Sequence, residues 1–309
     1  MKRSAIVILA LLLLATAFGA FWLWTPDKPR EELEAKYLHA PGDMVEVAGL
    51  RLHVRDTGPR DAPAVFMVHG FGSSLHTWEP WARALEDDYR VIRFDLPSSS
   101  LSPPDPAGDY TDARTMQVLT ALMNRLGIEK ASMIGNSIGG RIAWRFAAEN
   151  PARVEKLVLI SPDGFESPGI AYGQKPKVPT MVNAMQYALP KPLLRTNLAA
   201  AYGDPSKLTD KTVDRYYDLM LAPGVRGAMI ARMKQTVRED PVPLLRRIQA
   251  PVLLVWGEKD AMIPFSNASD YAKVLPQSTL ASFPELGHVP QEEAPEKSLV
   301  PVEAFLARR

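Results

Sequence analysis

Ser132-Met133-Ile134-Gly135-Asn136-Ser137-Ile138-Gly139-Gly140-Arg141 is the stretch whose local pattern settles the architecture. A short apolar run ends in a glycine-rich turn, and the turn passes into the helical pattern Arg141 to Ala148. Strand, sharp turn and helix in that order, with G-x-S-x-G at the turn, fit a nucleophile elbow. The glycines permit the tight turn. The turn presents the Ser137 hydroxyl at the carboxyl edge of a sheet, where the dipole of the following helix favours developing negative charge. The bland alternative is a small structural residue in a glycine-rich turn; the strand before it and the helix after it favour the nucleophile.

Two similar runs lie upstream: Ala64 to Val68 before His69-Gly70, and Val91 to Phe94 before Asp95. Such runs suit strands buried on both faces of a parallel sheet. Trp78 to Glu86 and Thr115 to Leu126 read as helices, the second with Met116, Leu119, Leu122, Met123 and Leu126 on one face. This alternation predicts an α/β sheet with right-handed crossovers, preceded by a hairpin of Met44 to Val47 and Leu50 to Arg55. Strands at Leu157 to Ile160 and Val252 to Trp256 are separated by about ninety residues, far more than a crossover needs, which predicts an inserted helical cap. Met181, Met185, Tyr187, Tyr216, Tyr217, Met220, Met229 and Met233 lie within it at roughly helical spacing. They read as cap core first, with several facing an apolar pocket as the functional alternative.

The ends complete the plan. Lys2 and Arg3 precede the uncharged, mostly apolar stretch Ala5 to Trp24, which as a helix would span about 30 Å, the thickness of a bilayer core. An uncleaved anchor is expected. The rival is a signal peptide cut after Ala15-Thr16-Ala17, although the apolar stretch outlasts a usual signal core and Trp22 and Trp24 suit an interface belt. Either way the remaining chain is expected on the exported side of the cytoplasmic membrane, the periplasmic side in a bacterium, N-terminally anchored or secreted after cleavage. The expected divisions are an anchor or signal segment at 1–25, a polar tether at 26–42, an α/β core at 43–164 and 249–309, and the cap at 165–248.

Composition narrows the chemistry. Of 309 residues 46% are apolar and 23% charged, as in ordinary globular proteins, and the formal charge of +1 offers nucleic acid no bulk attraction. With no cysteine, thiolate nucleophiles, disulfides and Cys-ligated metals are excluded; the five histidines, without H-E-x-x-H, make a metal site an unpromising reading.

A serine needs a base to take its proton. His288 is the only histidine after Ser137, so it is the candidate base. Asp260, directly after the strand Val252 to Trp256, is the favoured acid, and Asp163, after the preceding strand, competes with it. The oxyanion donors are expected to be the N–H groups of Ile138 and of Phe71. His69 reads as a hydrogen-bonded brace of the Phe71 loop rather than a proton shuttle.

Taken together, His69-Gly70-Phe71-Gly72, Asp95, the elbow with Gly140, Pro151 to Ile160, Trp256-Gly257-Glu258-Lys259-Asp260, and Gly287-His288 followed by Pro290, Glu293 and Pro295 resemble the α/β-hydrolase superfamily, in its branch of capped esterases and carbon–carbon bond hydrolases. The resemblance runs from Val45 to about Leu306. It implies a mostly parallel central sheet flanked by helices, Ser137 as nucleophile, Asp260 as acid, His288 as base, Phe71 and Ile138 as oxyanion donors, and no cofactor. Relatives that cleave haloalkanes or epoxides use Asp where this chain has Ser137.

The expected activity is therefore that of a serine carboxylesterase acting on a small apolar ester. Hydrolysis of a carbon–carbon bond in a dienoate is the runner-up. It requires a cation for the substrate carboxylate, with Arg141, Lys175, Lys177 or Arg195 as candidates, and Val289, where that branch tends to carry Trp, counts against it. A catalytically inactive fold serving as a binding module is the alternative of a different class. One departure keeps it in view: relatives carry D-x-x-G-x-G-x-S after the fourth strand, whereas this chain has Ser98 and Ser100 at the glycine positions. If either position needs a positive φ, the expectation is strain and another loop conformation.

Overall fold

Val65 and Met67 pack on one side of the strand Ala64–Val68 and Phe66 and Val68 on the other, which is why that run has no polar residue to expose. The same holds across most of the sheet in the computed structural model, which describes residues 6–8, 19, 23–166, 172–174 and 176–308. Among the described residues the strands form one eight-stranded sheet of β1 (Met44–Val47), β2 (Leu50–Thr57), β3 (Ala64–Val68), β4 (Arg90–Phe94), β5 (Ala131–Asn136), β6 (Val154–Ile160), β7 (Val252–Gly257) and β8 (Thr279–Phe283). Their spatial order is β1-β2-β4-β3-β5-β6-β7-β8, antiparallel at β1/β2 and β2/β4 and parallel elsewhere.

Eleven α-helices are placed among the described residues. Helix α1 (Arg30–Tyr37) precedes the sheet, and α2 (Glu79–Leu85), α3 (Asp112–Arg125) and α4 (Ile138–Glu149) follow strands β3, β4 and β5. The cap carries α5 (Lys191–Ala199), α6 (Asp210–Met220) and α7 (Val225–Gln235), and α8 (Val242–Leu245) leads back to the sheet. Helices α9 (Ser266–Val274), α10 (Pro290–Glu293) and α11 (Pro295–Leu306) complete the chain. One core layer joins α3, α4 and α9 to Phe66, Phe94, Met133 and Leu254; the other joins α2 and α11 to Val65, Met67, Ile134 and Val255. The sheet is thus covered on both faces, as an α/β sheet requires.

The cap has its own apolar cluster. Tyr216, Met220 and Met229 pack there with Leu189, Leu194 and Leu219, whereas Met181 and Tyr187 are exposed. Leu245 of α8 is fully buried in the core cluster beside α4, so α8, within the span expected for the cap, packs on the sheet core.

The expected anchor, Ala5 to Trp24, lies largely outside the described residues, and among the described residues no helix is long and apolar enough to cross a membrane. The segment after it departs from the expected tether. Residues 30–37 form α1, whose Leu33 is buried in the cap cluster. Lys28 Nζ and Lys36 Nζ reach the buried Asp218 of α6 at 3.0 and 2.6 Å, and the Tyr37 hydroxyl donates to the same carboxylate at 2.8 Å. Thr25 N–H donates to Tyr187 O and Lys28 N–H to Leu221 O, both at 2.8 Å. Burial works against the charge on Asp218, but the hydrogen bonds from Lys36, Tyr37 and Lys28 outweigh it and hold the carboxyl below its usual range. The segment is therefore clamped to the cap and is not a free spacer.

Candidate active site

Ser137 sits at the β5–α4 junction with φ 58° and ψ −123°, a conformation that a non-glycine residue adopts only when its surroundings hold it there. They do: Ser137 N–H donates to Ile160 O at 3.0 Å, and Ser137 O accepts from Asp163 N–H at 3.0 Å and Arg141 N–H at 3.1 Å. The turn also depends on Gly139, where a Cβ would lie 2.1 Å from Val68 O. No side chain fits between α4 and the end of β3.

The loop after β3 lies against the serine. A Cβ on Gly70 would come within 3.3 Å of Ser137 Cβ. His69 shapes this loop from below: its Nε2 accepts from Leu96 N–H at 2.9 Å, so Nδ1 carries the proton and donates to Gly70 O at 2.8 Å. Burial pushes its pKa down, and both ring nitrogens are occupied by backbone, so it braces the loop as expected. Neither Phe71 N–H nor Ile138 N–H is taken by an acceptor among the described residues. With Ile138 opening α4, two backbone donors and a helix N-terminus flank the serine.

His288 lies in the loop between β8 and α10, and its Nδ1–H donates to Asp260 Oδ2 at 2.7 Å. Asp260 is oriented in turn by the N–H groups of Met262 and Ile263, which donate to Oδ1 at 2.8 and 2.9 Å. This fixes the tautomer that leaves Nε2 as the proton acceptor. Asp163 is elsewhere. Its carboxylate sits between Arg141 Nη1 at 3.0 Å and Arg238 Nη2 at 2.9 Å, and it is not the partner of His288.

Sequence reasoning missed what joins these parts. Asn136, just before the serine, donates from Nδ2 to His288 O at 2.9 Å and so ties the elbow to the His288 loop across 152 residues. The Glu293 carboxylate accepts from Gly287 N–H at 2.8 Å and from Gly203 and Asp204 N–H at 3.0 and 2.7 Å, while His288 N–H donates to Ala201 O at 2.7 Å. Asn136 lies inside the elbow motif and Glu293 inside the Gly287-His288 motif, so both positions were in view; their partners were not.

The serine-rich loop corrects an expectation. Ser98 and Ser100 keep positive φ, 66° and 56°, so the loop retains the glycine-like conformation and carries the strain. Ser98 Oγ accepts from Asp105 N–H at 3.0 Å, whereas Ser100 Oγ is buried without a hydrogen-bond partner among the described residues.

The site thus combines a serine in a strained elbow, a histidine–carboxylate pair on a loop tied to that elbow, and two backbone N–H groups without an acceptor among the described residues. The chain belongs to the family described as alpha/beta hydrolase fold, whose pattern it matches over residues 63–295. Among curated proteins it is 30% identical to a 2-hydroxy-6-oxononadienedioate/2-hydroxy-6-oxononatrienedioate hydrolase of Pseudomonas putida, over 79% of this chain and 87% of that one. It is 28% identical to a 2-hydroxy-6-oxo-6-phenylhexa-2,4-dienoate hydrolase of Burkholderia cepacia, over 80% and 88%. Among solved structures, a membrane phospholipase A described as a bacterial virulence factor superposes with a TM-score of 0.73 at 24% identity, covering 99% of this chain and 98% of that one. At that identity the likeness establishes the fold.

Proposed function

We propose that this chain hydrolyses carboxylic esters through an acyl-serine, with Ser137 as nucleophile, His288 as general base, Asp260 as its orienting acid, and the N–H groups of Phe71 and Ile138 as oxyanion donors. The observation that carries this reading is the 2.7 Å His288–Asp260 hydrogen bond on a loop that Asn136 binds directly to the elbow. Ser137 Oγ attacks the ester carbonyl as His288 Nε2 takes its proton. The tetrahedral oxyanion is stabilised by the two backbone donors. Collapse expels the alkoxide, which takes the proton from His288, and water activated by the same base releases the acid.

Carbon–carbon bond hydrolysis is the second reading, and the names of the curated relatives support it more directly than they support ester hydrolysis. Two of the candidate cations for a substrate carboxylate are already engaged. Arg141 is paired with Asp112 and Asp163, Arg195 with Asp210, and Lys177 is exposed; Lys175 lies outside the described residues. The reading extends to location: an anchor through residues 5–24 would keep the enzyme on the exported face of the membrane, facing poorly soluble esters.

Offering short aryl esters and a ring-cleavage dienoate side by side decides between the two. Faster turnover of the ester is expected, and faster turnover of the dienoate would reverse the assignment. Ser137→Ala should lower either activity by about 10⁶-fold, as in the serine hydrolase where this was measured. A fluorophosphonate probe that fails to label the folded protein would restore the inactive binding module.

A further inference from the structure

Tyr216 of α6 belongs to the buried cap cluster, and its ring alone would account for that place. Its hydroxyl does something else. It lies 3.1 Å from Ser73 Oγ, two residues after Phe71, and 3.3 Å from both carboxylate oxygens of Glu292, in the helix that begins two residues after His288. One oxygen therefore bridges the oxyanion loop and the base loop. Since Glu292 can only accept, the Tyr216 O–H donates to it and the Ser73 O–H donates to Tyr216. Burial raises the Tyr216 pKa, so the proton needed for this bridge stays in place.

The Glu292 end of the bridge and the helix that carries Tyr216 are held. Glu292 also accepts from Arg215 Nη2 at 2.6 Å and from the Tyr202 hydroxyl at 2.9 Å, and α6 is pinned two residues further on by Asp218, with Lys28, Lys36 and Tyr37 around it. Ser73 has fewer restraints: its N–H donates to Gly70 O at 3.3 Å, and its hydroxyl meets Tyr216. The tyrosine hydroxyl thus adds, beside the His69 brace at Gly70, a direct tie between the Phe71 loop and the helix that follows His288.

We propose that Tyr216 is a positioning residue for acyl transfer: its hydroxyl, seated between Ser73 and Glu292, registers the oxyanion loop against the base loop. The proposal rests on the serine-hydrolase reading but not on the choice between ester and dienoate. A structural tyrosine would be replaced by phenylalanine at little cost to turnover; a positioning hydroxyl would not.

The test is Tyr216→Phe, assayed on whichever substrate the wild type turns over faster. Losing one oxyanion donor outright costs about 10²–10³-fold, so displacing it indirectly should lower kcat on the order of tenfold, with KM within about twofold. The rate constant for fluorophosphonate labelling of Ser137 should fall by the same factor while the fraction finally labelled stays that of the wild type. A kcat within about twofold of wild type overturns the proposal. Ser73→Ala approaches the bridge from its half-buried partner and keeps the test decisive if the phenylalanine variant fails to fold. It should show the same loss, and the double variant should be no worse than either single one. Wild-type kcat in Ser73→Ala, or losses that simply add, also overturns the proposal. If the wild type itself is neither labelled nor active, the hydrolase reading has failed and the proposal falls with it.

Discussion

His288 and His53 each donate an Nδ1–H to an aspartate Oδ2, at 2.7 Å to Asp260 and 2.8 Å to Asp95, and both aspartates also accept two backbone N–H groups. What differs is the other side of the imidazole. The loop of His288 is tied to the strained serine through Asn136. His53 and Asp95 are fully buried, and His53 Nε2 has no partner among the described residues. A histidine–carboxylate bond is thus a general device for fixing a ring and its loop; under the function proposed above, the one tied to the elbow is the one used for chemistry. At Asp95 the same device organises the fold. Leu75 N–H and Leu101 N–H converge on it at 2.7 and 3.2 Å, joining the start of the helical segment after β3 to the strained serine loop.

The sharpest way to break this comparison is to replace each aspartate by asparagine. Asp260→Asn should lower kcat/KM by about 10⁴-fold, the loss that the equivalent change causes in a serine protease, with the melting temperature little changed. Asp95→Asn should do the opposite, costing about 3 kcal/mol or more in chemical denaturation by leaving a buried network half satisfied, while each folded molecule still turns over. Exchanged outcomes would mean that the roles have been assigned to the wrong pairs.

Acid should separate the regions more gently. Burial pushes the His76 pKa down to about 3, against the opposing charge of Asp95, and burial lowers that of His69 as well. Folded pKa values below the unfolded value of about 6.5 mean that the unfolded chain takes up protons first. Stability is then complete above about pH 6.5 and is lost as pH falls from there towards 3, with His76 alone contributing a loss of about 2 kcal/mol between pH 7 and pH 5. Denaturation curves at the two pH values check this, and His76→Gln should flatten the difference.

The smallest effect expected is a gain. Ser100→Gly removes a strained φ and an unpartnered buried hydroxyl, and should stabilise the protein by about 1 kcal/mol after allowing for the added freedom of the unfolded chain. Ser98→Gly should gain less, since Ser98 Oγ accepts from Asp105 N–H. Thermal unfolding of both variants orders them, and an equal or reversed ranking would remove the unpartnered hydroxyl as a cause.

Much of the core was legible because its signals are local. The apolar runs at β3, β4 and β7 are bounded by turns, and the elbow is contiguous in the chain. Strand β8 was not legible: Thr279–Phe283 is an edge strand with only Phe283 buried, so it carries no apolar run to read. Helix α1 was hidden for a related reason. Its sequence buries only Leu33, and what holds it is Asp218, more than 180 residues away. His288, Asp260 and Ser137 could be named from chain order and neighbouring motifs. The ties through Asn136, Glu293 and Tyr216 could not, because they join segments that meet only after the sheet and cap have formed.

Gly203 and Gly287 meet backbone to backbone: a Cβ on Gly287 would lie 2.5 Å from both Ala201 O and Gly203 N, and one on Gly203 would lie 2.3 Å from Glu285 O. This is a seam, and it sets where the molecule can be cut and rejoined. Caps are natural modules to exchange between related enzymes when a new specificity is wanted. Here a graft that takes everything between β6 and β7 would also remove the strip Ala201–Asp204 against which the base loop is moulded. A chimera should retain that strip with its host and splice on either side of it, giving two short foreign inserts in place of one long one.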